Sequence, residues 1–170
     1  MSRVPLLEAD QAPPLSRAWY RPDGTASPLT RSLATAPDVM ETLMPFLGQI
    51  MGESAVDLAT KELVTLRVSE LSGCRYCLAA HRPLALEAGL SADQVEAVCG
   101  GSLAALDERE RAIVDWVDSV TLDPAGVNDE LAARVLDHVR DDQLVELTLL
   151  AGAIRMLNQY CTAFDIPPPG

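Results

Sequence analysis

The segment from Glu62 to His81 constrains the fold most, because one predicted helix ends and another begins within it. Gly73 interrupts the helical pattern and can adopt the left-handed conformation that closes a helix. Cys74 is then expected near the N-cap of the next helix, and Cys77 inside its first turn. The fold must therefore pack two helices against each other at a junction that carries a cysteine pair.

The Cys74–Cys77 pair has the features of reactive thiols. The positive end of a helix and the neighbouring Arg75 favour the thiolate over the thiol, so we expect depressed thiol pKa values. Two cysteines three positions apart can close a disulfide, so that one reacts with an oxidant and the other resolves the product. The spacing therefore predicts a redox-active pair.

His81 and Glu62 are the expected proton-transfer partners of this pair. His81 lies one helical turn beyond Cys77 on the same face, within reach of a sulfur or a nearby water. Glu62 interrupts an apolar row formed with Leu58 and Leu66, and a carboxylate in such a row needs a partner. We expect His81 to be that partner across two packed helices, where the carboxylate would orient the imidazole.

Other interpretations of these residues remain open. Zinc binding would use both cysteines and His81, with Glu62 as a fourth ligand, although the chain lacks the second Cys-x-x-Cys of common structural sites. Glu62 can instead be a surface carboxylate paired with Lys61, Arg67 or an arginine from another helix. His81 can be a core histidine bonded to a backbone carbonyl, and the two cysteines can be inert core thiols.

The motif resembles the alkylhydroperoxidase D-like proteins of the carboxymuconolactone decarboxylase superfamily. These proteins carry a glutamate twelve residues before a Cys-x-x-Cys and a histidine four residues after its second cysteine. The present chain has the same residue types at the same spacing: Glu62, Cys74, Cys77 and His81. The apolar and acidic pattern from about residue 37 to 164 is also similar, and the resemblance implies an all-helical peroxidase.

In such a peroxidase, the resemblance implies that Cys77 attacks the hydroperoxide and that Cys74 resolves the sulfenate as a disulfide. Glu62 and His81 would relay protons. The resemblance further implies no bound cofactor or metal, an external dithiol reductant of lipoyl or thioredoxin type, and a homo-oligomer that is a trimer or a hexamer.

One position departs from the family pattern. Members with peroxidase activity can carry a second histidine just before the second cysteine, and this chain has Tyr76 there. We expect Tyr76 to pack beside the sulfurs, with a hydroxyl able to donate to a bound peroxide. The departure favours one alternative, a protein disulfide oxidoreductase with little peroxide activity. A non-catalytic zinc-binding or interaction module is a further alternative.

Composition predicts an all-α, single-domain helical bundle with an irregular proline-rich N-terminal arm. Of the 170 residues, 48% are hydrophobic but only 4% aromatic, and this mostly aliphatic content suits packed helices better than strands. We expect the arm over residues 1–36, the helical domain over 37–164 and a stiff tail over 165–170. Trp19 and Tyr20 are expected to anchor the arm on the body or on a neighbouring subunit.

The remaining expectations concern partners and location. A formal net charge of −12 argues against nucleic acid and anionic membrane surfaces as partners. The first residues show no signal-peptide pattern, so we expect a reducing cytoplasm. The last helix, about residues 141 to 163, is apolar on nearly all sides, and we expect part of it to pack on a sister subunit. Cys99 is predicted to be a small buried hydrophobe and His138 a solvated surface residue.

Overall fold

The computed structural model describes residues 1–169, and all regular structure in that range is helical. Two single turns of 3-10 helix, at residues 103–105 and 124–126, supplement the α-helices. The α-helices are α1 (Pro14–Arg17), α2 (Pro28–Leu33), α3 (Pro37–Met51), α4 (Leu58–Leu71), α5 (Arg75–Glu87), α6 (Ala92–Val98), α7 (Glu108–Leu122), α8 (Asp129–Leu136) and α9 (Asp141–Ala163). The predicted all-α class is confirmed.

Helix α4 lies at the centre of the bundle and packs against α5, α6, α7 and α9. Its side chains are buried on nearly all sides, including Leu63, Val64, Leu66 and Val68. Side-chain caps begin most of the surrounding helices, among them Ser91 before α6, Asp107 before α7 and Asn128 before α8. The bundle therefore fixes the position of any side chain that α4 directs at a neighbouring helix.

Helix α4 ends and α5 begins without an intervening loop. Gly73 adopts φ +62°, the Gly73 amide donates to the carbonyl of Glu70 at 3.0 Å, and the Cys74 amide donates to the carbonyl of Ser69 at 3.0 Å. These two bonds close α4 as a Schellman motif. Cys74 is at the same time the N-cap of α5, because its Sγ accepts from the amide of Cys77 at 3.3 Å. The predicted junction is confirmed.

Helix α9 ends in the same type of motif next to this junction. The Asp165 amide donates to Thr162 at 3.2 Å and the Ile166 amide donates to Cys161 at 2.9 Å. Asp165 occupies the left-handed position, with φ +51°, that glycine usually takes. Its carboxylate lies 3.4 Å from the guanidinium of Arg75, which connects the end of α9 to the start of α5.

The N-terminal arm is ordered on the body and contains two short helices, α1 and α2, where an irregular segment was expected. Both helices have proline in their first turn, where a residue without an amide proton costs nothing. Trp19 and Tyr20 pack against Leu33 and Met40, and the Tyr20 hydroxyl donates to the carbonyl of Leu7 at 2.8 Å. The predicted anchoring by these aromatic residues is confirmed on the body of the same chain. The division at residues 36 and 164 stays a prediction.

A buried lysine connects α3, α4 and α9. Lys61 is 2% exposed, and its ammonium lies 2.6 Å from the carboxylate of Glu146. The same ammonium donates to the carbonyl of Ile50 at 2.9 Å and to that of Gly52. It thereby satisfies the carbonyl groups that are left at the end of α3.

Two surface features bear on the remaining expectations. Among the described residues, none of the helices combines the length and the apolar character needed to cross a lipid bilayer. Val145 and Leu149 of α9 are 60% and 56% exposed. The homo-oligomer stays a prediction.

Candidate active site

The packing of α4 against α5 brings Glu62 and His81 into direct contact. Glu62 Oε2 and His81 Nδ1 lie 2.8 Å apart, and the two side chains are only 14% and 15% exposed. The predicted contact between these residues is confirmed. The alternative partners of Glu62 are bound elsewhere, because Lys61 pairs with Glu146 and Arg67 forms a two-pronged pair with Asp118 at 2.6 Å.

The contact determines which nitrogen of His81 is available for chemistry. A carboxylate can only accept, so Nδ1 of His81 must donate its proton to Glu62. In the neutral imidazole, Nε2 then carries the lone pair and can take a proton. His81 is one turn beyond Cys77 on α5, so this nitrogen belongs to the helix that carries the cysteine pair.

A third cysteine completes the sulfur site. Cys161, from the last full turn of α9, lies with Cys74 and Cys77 in a cluster whose three Sγ atoms are all within 4.8 Å of one another. All three side chains are buried. Sequence analysis missed Cys161, because it is 84 residues from Cys77 and belongs to no local motif. The only signal in the sequence was a fourth cysteine on a helix that is apolar all round.

The three sulfurs do not ionise alike. Hydrogen bonds from the Cys161 and Cys77 thiols lower the pKa of Cys74 to about 3, and the Cys77 amide and the Thr162 hydroxyl act in the same direction. Because its proton is donated to Cys74, the pKa of Cys161 is raised to about 12. The pKa of Cys77 is also raised, by hydrogen bonding to Cys161 and Cys74 and by burial. One negative charge thus rests on the N-cap sulfur.

The expected depression of a thiol pKa is therefore confirmed at Cys74, whereas the pKa of Cys77 is raised. Sulfurs this close cannot all be charged in a buried site, so the anion on one raises the pKa of its neighbours. Arg75 is not the cause of the shift at Cys74, since its side chain is 83% exposed and pairs with Asp165. Hydrogen bonds to the sulfur produce the effect instead.

Tyr76 packs beside the sulfurs, as expected. It is buried in one apolar cluster with the three cysteines, Ile166 and parts of the arm. Burial raises the pKa of its phenol, while the Ser27 side chain and the Leu29 backbone act in the opposite direction. Its hydroxyl therefore faces α2 and the residue that caps it. Donation to a bound peroxide stays a prediction.

A small cavity reaches the sulfur cluster between the start of α5 and the end of α9. Its volume is about 50 Å³, and we call it the α5–α9 cavity. It is lined by Gly73, Cys74, Arg75, Tyr76, Cys161, Thr162, Asp165 and Ile166. Cys74 and Cys161 thus border this cavity, whereas Cys77 does not.

The donor groups for a metal differ from the expected set. Within residues 1–169, Cys74, Cys77 and Cys161 form the one group of at least three His, Cys, Asp or Glu side chains close enough to hold an ion. His81 and Glu62 are outside this group, so the four-ligand zinc site that used them is wrong. Three thiolates would suit a soft metal such as zinc, with a fourth ligand from solvent.

Comparison with known proteins finds a matching family and similar sequences. Residues 37–119 match the family described as the carboxymuconolactone decarboxylase family. The uncharacterized protein YdfG of Bacillus subtilis is 28% identical over 130 residues, which cover 75% of this chain and 88% of that protein.

Solved structures share the fold over nearly the whole chain. An uncharacterized peroxidase-related protein with an alkylhydroperoxidase AhpD core, from Ralstonia eutropha JMP134, aligns with a TM-score of 0.89 and 19% identity, covering 98% of this chain and 92% of that one. The debrominase Bmp8 aligns with a TM-score of 0.78 and 18% identity, covering 99% and 92%. At these identities the two structures establish a common fold.

Proposed function

The chain is an alkylhydroperoxidase D-like protein of the carboxymuconolactone decarboxylase superfamily, and we propose that it is a peroxidase that reduces alkyl hydroperoxides. The proposed cycle uses Cys74 and Cys77 as a dithiol–disulfide couple, with Glu62 and His81 as a proton relay. The observation that carries the proposal is the 2.8 Å contact between Glu62 of α4 and His81 of α5, the helix that begins at the cysteine pair.

In the first step, Nε2 of His81 takes the proton of the Cys77 thiol, and the resulting thiolate attacks the terminal oxygen of the hydroperoxide. The O–O bond breaks, and the sulfur is oxidised to a sulfenic acid. The leaving alkoxide receives the proton from the imidazolium and departs as an alcohol. Glu62 holds the ring through Nδ1 and stabilises the imidazolium while it carries the proton.

In the second step, the Cys74 thiolate attacks the sulfur of the Cys77 sulfenic acid. The S–O bond breaks, the hydroxide takes a proton from solvent and leaves as water, and a Cys74–Cys77 disulfide forms. The lowered pKa of Cys74 supports this role, because the resolving sulfur is ionised before the sulfenic acid appears. An external dithiol of lipoyl or thioredoxin type then supplies two electrons and restores both thiols.

Anaerobic stopped-flow measurements of the reduced protein with cumene hydroperoxide test this function. We expect one peroxide consumed and two thiols lost per chain, with no consumption by Cys77→Ser and wild-type behaviour by Cys99→Ser. Cys99 is the matched control, because it is buried but lies outside the sulfur cluster. Peroxide consumption that is absent, or that persists in Cys77→Ser, would contradict the proposal.

Trapping of the sulfenic acid tests the assignment of the two cysteines. With the resolving thiol removed in Cys74→Ser, dimedone should label Cys77. Labelling of Cys74 in Cys77→Ser, with none on Cys77 in Cys74→Ser, would exchange the two roles.

The second candidate is a protein disulfide oxidoreductase with little peroxide activity. Tyr76 favours it, because a phenol that faces α2 replaces the additional histidine of peroxidase-active members. Turnover of a protein disulfide with reduced chain, without turnover of hydroperoxide, would select this candidate.

The family resemblance also supports proposals about partners and location. We place the protein in a reducing cytoplasm, with a hydroperoxide substrate, a reducing partner protein and neither nucleic acid nor membrane as a partner. The exposed Val145 and Leu149 support a homo-oligomer, trimeric or hexameric, whose mass light scattering would measure.

A further inference from the structure

The sulfur cluster contains one more thiol than the peroxidase cycle uses. Cys161 is 2% exposed and lies within 4.8 Å of both other sulfurs, so a disulfide partner is available to Cys74 from either side. Cys77 approaches Cys74 from the first turn of α5, and Cys161 approaches it from α9.

All three cysteines are buried, but the two possible partners of Cys74 differ in their position relative to the α5–α9 cavity. The α5–α9 cavity is lined by Cys74 and Cys161 but not by Cys77. A disulfide between Cys74 and Cys77 would therefore have one of its two residues at the cavity, whereas a disulfide between Cys74 and Cys161 would have both. A reductant that approaches through the cavity would reach the second disulfide from either end.

We propose that Cys161 is a third redox thiol, which takes over the disulfide from Cys77 and holds it at the α5–α9 cavity for the external dithiol. The proposal rests on the peroxidase cycle described above. The Cys161 thiolate attacks Sγ of Cys74, the Cys74–Cys77 bond breaks, and Cys77 leaves as a thiolate. One disulfide is exchanged for another, so no further oxidant or reductant is consumed.

The proton balance of the exchange closes within the cluster. Cys161 and Cys77 are themselves hydrogen-bonded, so the proton that Cys161 loses can pass to the Cys77 thiolate. In the reduced protein, the anion at Cys74 holds the proton on Cys161. Oxidation of Cys74 removes that anion, and with it the main cause that keeps Cys161 protonated.

The position of Cys161 near the end of α9 permits the required movement. Sulfurs within 4.8 Å must approach to about 2.0 Å to form the bond. Cys161 precedes the end of α9 by two residues, and the turn that contains it is closed by the backbone bonds of Asp165 and Ile166. Ends of helices move at lower cost than their centres.

The exchange would have a functional consequence for turnover. Cys77 returns to the thiol form beside His81 while the disulfide still awaits reduction. The oxidising site and the site that meets the reductant then lie on different sulfurs of one cluster. A resting disulfide between Cys74 and Cys161 would also connect α5 to α9 covalently.

Disulfide mapping after one turnover tests the proposal. Reduced wild type, Cys161→Ser and the control Cys99→Ser receive one equivalent of cumene hydroperoxide, followed by acid quench, alkylation, trypsin digestion and mass spectrometry. Trypsin cleavage after Arg75 separates Cys74 from Cys77, and cleavage after Arg155 isolates Cys161, so each disulfide gives a distinct peptide pair. We expect the Cys74–Cys161 pair in wild type and in Cys99→Ser, and only the Cys74–Cys77 pair in Cys161→Ser.

A steady-state measurement gives the second readout. Dihydrolipoamide should reduce the disulfide of Cys161→Ser at least about tenfold more slowly than the disulfide of Cys99→Ser. The reason is that Cys77, one of the two residues of the remaining disulfide, does not line the cavity. Equal reduction rates in the two variants would contradict the role at the cavity.

The outcomes separate this proposal from the peroxidase function. If peroxide is consumed but wild type contains only the Cys74–Cys77 pair, with Cys161 fully alkylated, the exchange is refuted and the peroxidase cycle stands. If no peroxide is consumed, diamide oxidation of the same three proteins decides the exchange, and absence of the Cys74–Cys161 pair refutes it. The exchange would also be refuted if the protein bound one equivalent of zinc that protected all three thiols from alkylation until a chelator was added.

Discussion

Lys61 and Glu62 are neighbours in sequence, yet they form two side-chain pairs of different character, which face different neighbouring helices of α4. The Lys61–Glu146 pair is closed, because the ammonium is 2% exposed and has three oxygen acceptors for its three protons. The Glu62–His81 pair is open, since its side chains are 14% and 15% exposed and the ring uses only Nδ1 in the contact. Both pairs contain a largely buried carboxylate, but only the second has an atom, Nε2 of His81, that the contact does not use.

The difference separates a structural pair from a chemical one. Although burial acts to raise it, hydrogen bonds from Lys61 and Ser54 hold the pKa of Glu146 below its usual value. All three hydrogen bonds of the Lys61 ammonium thus serve to join α3, α4 and α9. The imidazole of His81 retains a lone pair that can accept a proton, which is the requirement for a relay.

Removal of the buried lysine should give the largest effect on stability. Lys61→Ala leaves two carbonyl groups without their donor and Glu146 without its cation, so we expect the free energy of unfolding to fall by about 3–5 kcal/mol. Urea denaturation measures it. Arg140→Ala is the control, because Arg140 and Asp142 form an exposed pair, and it should lower the free energy of unfolding far less. A similar small loss for Lys61→Ala would remove the distinction between the pairs.

Removal of the imidazole should instead affect the chemistry. His81→Gln is expected to slow oxidation of the cysteine pair by cumene hydroperoxide about 10²–10³-fold, because the proton relay is lost. The free energy of unfolding should change by less than about 1 kcal/mol, since a polar side chain still faces Glu62. The chain has one other histidine, the exposed His138, and His138→Gln should match wild type in both measurements. An unchanged rate in His81→Gln would contradict the relay.

Double substitutions sharpen the comparison further. Lys61→Met with Glu146→Leu replaces both charges by apolar groups and should return stability to within about 2 kcal/mol of wild type. Glu62→Leu with His81→Leu can be equally stable but should remain as slow as His81→Gln. Recovery of activity by the second double variant would show that the open pair is structural as well.

The smallest expected effect is spectroscopic and concerns the charge on Cys74. Thiolate absorbance at 240 nm should indicate one ionised sulfur at neutral pH that is lost only as the pH falls towards about 3, and Cys74→Ser should lack it. Because this pKa is lowered on folding, its contribution to stability is present above pH 9 and is lost as the pH falls to about 3. The raised pKa of Cys161 acts oppositely, and its contribution is lost as the pH rises from 9 to about 12. A single titration near pH 9 would contradict this assignment.

The local features of the site could be predicted from sequence because each depends on a few neighbouring residues. Gly73 ends α4 and Cys74 caps α5 through backbone geometry that the residue types themselves favour. The contact between Glu62 and His81 followed from one unmatched carboxylate and one histidine on adjacent helices. Such inferences need only the helical period and the pairing of charges.

The features that could not be predicted depend on contacts between distant segments. Cys161 lies on a helix that is apolar all round, so periodicity does not indicate which of its sides faces α5. The raised pKa of Cys77 depends on the proximity of that third sulfur, which the Cys-x-x-Cys spacing does not reveal. The pairing of Lys61 with Glu146 joins residues 85 positions apart for the same reason.

Cys74 belongs both to the end of α4 and to the start of α5, so the length of this junction fixes the rotation of α5 relative to α4. Cys74 donates its amide to the end of one helix and its sulfur accepts from the start of the next. One residue inserted after Gly73 would advance α5 by about 100° around its axis, since a turn contains 3.6 residues. His81 would then point away from Glu62, so the length of this junction is under as strict a constraint as the identity of the side chains it aligns.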